Sequence, residues 1–93
     1  MFKVNRYFDD CVMSMAFENE EGRATVGIMA AGEYEFSTSS IEYMTVISGK
    51  MSVLLPGETK WKDFKPYDTF VVGKDQSFKL VIEADCAYKC LYK

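Results

Sequence analysis

The chain has 93 residues, a formal net charge of −3 and no histidine. That length suits one compact unit and excludes a multidomain enzyme, and the missing histidine removes Ser-His and Cys-His catalytic pairs and every imidazole metal ligand. A 48% hydrophobic, 15% aromatic composition excludes disorder, while two arginines and scattered lysines leave no electrostatic footprint for nucleic acid.

Taken in chain order, residues 4–9 are the only stretch that suits a helical turn. From Cys11 onward the apolar period is two. Residues 11–17 alternate Cys11, Met13, Met15 and Phe17 with Val12, Ser14 and Ala16, and an acidic turn follows at Glu18–Gly22. Further strand-like runs occupy 23–30, 34–38, 42–48 and 50–55, after which Pro56-Gly57 breaks the chain. The last four are 61–64, 69–72, 76–82 and 86–92. Short alternating runs with turn signals between them predict an all-β sandwich or barrel of about eight to ten strands. A chain of this size buries only roughly 60–65% of its unfolded surface, so self-association adds to its stability.

Face assignments follow from the alternation. Arg23 shares a face with Thr25 and Gly27, opposite Ala24, Val26 and Ile28. Tyr34, Phe36 and Thr38 share another. If Ser48-Gly49 is a two-residue turn, Val46 opposes Met51 and Met44 opposes Val53, collecting Met44, Val46, Met51, Val53 and Leu55 on one apolar face. Glu42 then falls at the end of that face, opposite Leu55. A carboxyl there has a raised pKa unless a cation or donor partners it. Cys86 and Cys90 lie on one face with Tyr88 and Tyr92, as core or interface residues and not as a metal or redox pair. With Cys11 they make three cysteines and no CxxC, which predicts reduced thiols in a cytoplasmic protein. No signal-peptide pattern opens the chain and no run approaches a membrane span.

Several strings carry a resemblance. Gly22-Arg-Ala-Thr-Val-Gly-Ile-Met29, Gly32-Glu-Tyr-Glu-Phe-Ser-Thr38, Met44-Thr-Val-Ile-Ser-Gly49 and Val53-Leu-Leu-Pro56 resemble the pyrimidine/purine nucleoside phosphorylase family. The likeness runs from Asn5-Arg-Tyr-Phe8 to Tyr88-Lys-Cys-Leu-Tyr92, nearly the whole chain. It implies a single-domain cupin over residues 1–93, paired as a homodimer through its sheets. The implied activity is phosphorolysis of purine and pyrimidine nucleosides to free base and ribose 1-phosphate. The cupin pattern itself is only partly kept. Glu42 and Gly49 match the glutamate-to-glycine spacing of the first cupin motif, but Thr38 and Ser40 fall near the two usual histidine positions. In the second motif Tyr67 stands where a glycine is usual, Gly73 where a proline is, and Asp75 where a histidine occurs. Leu91 replaces an arginine that relatives carry in the last strand.

Phosphorolysis needs a phosphate held near C1′, stabilisation of an oxocarbenium-like sugar, and a donor for the departing base. Neither metal nor histidine is required for these, since positioning supplies much of the effect. The expected catalytic residues are therefore Glu42 and Arg23, with Tyr34, Phe36, Ser37, Thr38 and Ser40 binding substrate. Inorganic phosphate is a co-substrate and no cofactor or metal is expected; nor is a nucleic-acid or membrane partner. The structural alternatives are a solvent-facing Arg23 and a half-buried Glu42 paired with Arg23 or a lysine. A second reading, motivated by Leu91 and Tyr67, is a non-catalytic cupin binding a small sugar or nucleotide. A metal-dependent cupin isomerase or dioxygenase is the third.

Overall fold

A computed structural model describes all 93 residues. Ten strands form: β1 (Val4–Tyr7), β2 (Val12–Asn19), β3 (Gly22–Met29), β4 (Gly32–Ser37), β5 (Glu42–Ser48), β6 (Met51–Leu54), β7 (Lys62–Phe64), β8 (Thr69–Val72), β9 (Ser77–Ile82) and β10 (Cys86–Tyr92). One sheet has six strands in the order β1-β2-β3-β10-β5-β8, and the other has four in the order β4-β9-β6-β7. Every strand pairing is antiparallel. The two sheets close on a core that draws Val12, Met44, Val46, Phe70 and Cys86 from one side and Met51, Val53, Phe78, Leu80 and Ile82 from the other. Phe70 and Phe78 meet across the sheets with ring centroids 6.0 Å apart, and Phe64 and Phe36 extend the aromatic row at 4.8 and 5.9 Å. Edge-to-face and offset pairs of this kind add to the burial they accompany.

The expected hairpin at Ser48-Gly49 does not form. Its two strands part at Gly49, β5 staying beside β10 and β8 while β6 joins β9 and β7 in the other sheet. Met44, Val46, Met51 and Val53 are all buried, as the alternation requires, but they face one another across the core. Period two is satisfied equally by two strands side by side and by two strands in opposed sheets, so the pattern does not choose between them. Gly49 makes the crossing at φ 89°, and a Cβ there would sit 3.0 Å from the Asp85 carbonyl oxygen. Glu42 accordingly opposes Tyr92 and Val72, and not Leu55.

The helical turn expected at residues 4–9 is also replaced. Val4–Tyr7 pairs with β2 as an edge strand, and Phe8, Asp9 and Asp10 then take φ values of 52°, 53° and 66° in succession. Three consecutive left-handed residues without a glycine cost about 1–2 kcal/mol each. The turn is held by the Cys11 N–H donating to the Phe8 carbonyl at 3.0 Å and by the Arg6–Asp10 ion pair at 3.0 Å. Phe8 packs its ring 5.1 Å from Tyr34 and 5.5 Å from Phe36. That packing fixes where β1 ends, and with it Tyr7.

Candidate active site

The site is built from three adjacent strands. In β3, β10 and β5 the register sets Arg23 opposite Tyr92 and Tyr92 opposite Glu42; the next inward-facing row is Thr25, Cys90 and Met44. Cross-strand partners project to the same face, and strands lie about 4.8 Å apart, so Arg23 and Glu42 flank Tyr92 with backbones about 10 Å apart. A bulge between Ala87 and Tyr88 resets the pairing just below this row. Inward on β3 therefore means the face of Arg23, Thr25 and Gly27, while Val26 and Ile28 point outward.

Two hollows meet here. The inner one, about 240 Å³, lies inside the barrel and is lined by Glu42, Cys90, Tyr88, Tyr92, Phe36 and Ser37 among others. Glu42 is half-buried and forms no ion pair. The Cys90 thiol donates to its Oε1 at 3.5 Å. Burial raises the Glu42 carboxyl above its ordinary value, and the thiol's hydrogen bond draws it part of the way back. The same burial, with Glu42 alongside, pushes the Cys90 thiol up to about 12. Burial also pushes Tyr88 up to about 12. The cavity thus disfavours every anion of its own. Gly27 makes room for Tyr88: a Cβ there would lie 2.8 Å from the Tyr88 hydroxyl and 2.5 Å from the Met13 carbonyl oxygen.

The outer hollow is a cleft of about 470 Å³ at the barrel mouth, lined by Arg23, Ser39, Ser40, Asn5, Thr25 and Glu18 among others. Arg23 is exposed and has no carboxylate partner; its guanidinium rests 5.7 Å from the centroid of the Tyr92 ring. Arg6, the other arginine, is occupied by Asp10. The one guanidinium without an ion pair shares the cleft with Ser39, Ser40 and its β2 register partner Glu18, so an oxyanion there would meet a cation, two hydroxyls and one carboxylate. Tyr7 and Tyr92 line both hollows.

The residues expected from sequence divide accordingly. Glu42, Phe36 and Ser37 line the inner cavity, and Arg23 and Ser40 line the cleft. Tyr34 and Thr38 line neither. Thr38 is a buried staple: its hydroxyl donates to the Gly73 carbonyl at 2.7 Å and accepts from the Gln76 N–H at 3.0 Å. The Tyr34 hydroxyl donates to the Ala30 carbonyl at 2.6 Å. Both point inward on the strand run, as alternation predicts, yet their hydroxyls are spent on backbone. Tyr92, Cys90, Tyr88, Tyr7 and Thr25 were missed. The alternation on β10 predicts Tyr88, Cys90 and Tyr92 on one face with Cys86, as core or interface residues; the structure turns that row toward the hollows. Leu91, between them, points to the other face and lines neither hollow. The donor set does not fit a metal ion either. Glu42 and Cys90 are the only carboxylate and thiol lining the inner cavity, and no three His, Cys, Asp or Glu side chains gather anywhere.

The architecture is that of solved cupins. A RmlC-like cupin from Shewanella frigidimarina aligns with a TM-score of 0.72 at 13% identity, covering 96% of this chain and 80% of that one. A crystal structure of a Vibrio parahaemolyticus protein of unknown function aligns at 0.93 with 37% identity, covering 100% of this chain and 99% of that one. At the level of sequence, a Pseudomonas putida protein named pyrimidine/purine nucleoside phosphorylase is 53% identical over 93 residues, covering 100% of this chain and 99% of its own. The family of that description matches residues 2–92. The chain belongs to the pyrimidine/purine nucleoside phosphorylase family.

Proposed function

We propose that this chain cleaves purine and pyrimidine nucleosides with inorganic phosphate, and that the two hollows divide the substrates between them. The row Arg23-Tyr92-Glu42 carries the reading, because it sets a cation without an ion pair and a carboxyl that burial holds above its ordinary value on either side of one ring. Phosphate sits in the cleft on Arg23, Ser39 and Ser40, and the base enters the inner cavity beside Phe36. A phosphate oxygen attacks C1′ as the C1′–N bond breaks, and the Glu42 carboxyl gives its proton to the departing base. The product is ribose 1-phosphate. The chemistry is carried without a metal, by charge and by position.

Two further features complete the reading. The outer face of the six-stranded sheet carries Val26 at 42% and Ile28 at 58% exposure, with Val4, Met15 and Ile47 beside them. An apolar groove of about 620 Å³ runs along it. Contiguous apolar surface on so small a chain is suited to a second copy of itself, and the chain pairs as a homodimer through this face. No helix is long and apolar enough to cross a membrane. Cys11, Cys86 and Cys90 are free thiols, which suits a cytoplasmic site of action.

The test incubates purified protein with uridine and with adenosine, with and without phosphate, and measures free base. Multiple turnovers that require phosphate are expected. Base release independent of phosphate, or none beyond one equivalent per chain, overturns the assignment.

A further inference from the structure

Tyr92 has no role in the chemistry just described, yet it occupies the centre of the site. It is the register partner of Arg23 on one side and of Glu42 on the other. Its hydroxyl is tied to Thr25 Oγ1 at 3.0 Å, and its ring carries the Arg23 guanidinium at 5.7 Å. With Tyr7 it is one of only two residues that line both hollows.

We propose that Tyr92 is a positioning residue: its ring keeps cleft water out of the inner cavity while leaving C1′ to meet a cleft-bound phosphate at the ring's edge, and it holds Arg23 until an anion draws the guanidinium away. The identity of the two ligands rests on the phosphorylase reading; the wall rests on geometry. The two tethers are independent. An exposed cation–π contact is weak beside a guanidinium–phosphate pair, so phosphate takes Arg23 without disturbing the hydroxyl's bond to Thr25. The ring therefore stays in place after the guanidinium has left it.

A standing wall has a chemical consequence. The cleft opens to solvent and admits water as readily as phosphate. As the C1′–N bond breaks, C1′ is captured by whichever nucleophile reaches it. Phosphate oxygen gives ribose 1-phosphate; water gives free ribose and releases a proton. In both cases the base leaves with the bonding pair and takes a proton. Tyr92 keeps water off the inner side of C1′ and so sets the ratio of the two products.

The experiment measures ribose 1-phosphate and free ribose formed from uridine at saturating phosphate, in the wild type, Tyr92→Phe and Tyr92→Leu. Tyr92→Phe keeps the ring but loses its tether to Thr25 and is expected to raise the free-ribose share about threefold, whereas Tyr92→Leu raises it about tenfold or more. An unchanged ratio in Tyr92→Leu, or a change in Tyr92→Phe as large as in Tyr92→Leu, overturns the proposal. A second measurement needs no turnover. Inorganic phosphate is titrated into tyrosine-labelled protein while the Tyr92 ring resonances, assigned with Tyr92→Phe, are followed. They are expected to shift in the wild type and not in Arg23→Met; no shift in the wild type overturns the proposal. Should the wild type release no base, the phosphorylase reading fails and the titration alone decides on Tyr92. Should Tyr92→Leu not fold, Tyr92→Phe and the titration decide.

Discussion

The two faces of the six-stranded sheet reverse the usual arrangement. Where β3 crosses β10, the inner face holds Arg23, Thr25, Cys90 and Tyr92, and the outer face holds Val26 and Ile28. A sheet that merely covers a core turns its apolar alternates inward and its polar ones to water. Here the inward residues line the two hollows, and the outward ones are apolar and exposed. At the other end of the same sheet Val12, Val46 and Cys86 follow the ordinary rule and are buried. One sheet thus builds core at one end and a site at the other.

That contrast can be broken most severely from the inside. Glu42→Gln is expected to lower kcat/KM about 10²–10⁴-fold, the range of a lost general acid, without lowering the melting temperature at neutral pH. Its pH dependence follows from the direction of its shift. Burial raises the carboxyl, so the stability tied to its proton is complete below the ordinary carboxylate value and is lost as pH rises through the raised one. Melting curves of wild type and Glu42→Gln should diverge in the mutant's favour across that window and run parallel above it. Wild-type kcat should fall over the same rise as the acid loses its proton. Arg23→Met comes next: the KM for phosphate is expected to rise about 10–100-fold, the worth of a hydrogen bond to a charged group.

The outer face is broken with Ile28→Glu. Light scattering should show the mass of the particle halved, with kcat/KM per chain held within about threefold because the row Arg23-Tyr92-Glu42 lies within one chain. A mass equal to one chain in the wild type would overturn the homodimer instead. The smallest effect separates the staple from the site. Thr38→Val leaves the Gly73 carbonyl and the Gln76 N–H without their partner and is expected to cost about 1–3 kcal/mol of stability, with kcat unchanged.

Much of this was legible in the chain itself. Alternation located β2 to β10 within a residue or two of their observed ends, and it placed Glu42 on an inward face where burial raises its carboxyl. Partnership was not legible. Met44, Val46, Met51 and Val53 were recognisable as one buried set, but whether β5 and β6 lie side by side or face to face depends on where β10 and β9 insert, far along the sequence. The same ignorance hid the site. Arg23, Tyr92 and Glu42 become a row only once β10 enters between β3 and β5. Hydroxyls mislead for a related reason: Thr38 looked free because its acceptor, the Gly73 carbonyl, is supplied by the loop ahead of β9. At residue 67 the usual glycine is absent, yet Tyr67 keeps φ at 75°, so the left-handed conformation persists without the residue that takes it most cheaply.

The strained turn after β1 sets a timescale. β1 is paired on one side only, is four residues long, and leads into three residues whose backbone favours release. A short edge strand of this kind opens locally at less cost than an interior one, so its amide hydrogens exchange before those of β3 or β10. Tyr7 rides on this strand and lines both hollows, whereas Tyr92 is fixed in the interior of the sheet. The two hollows therefore share one wall on a strand that opens early and one on a strand that opens late.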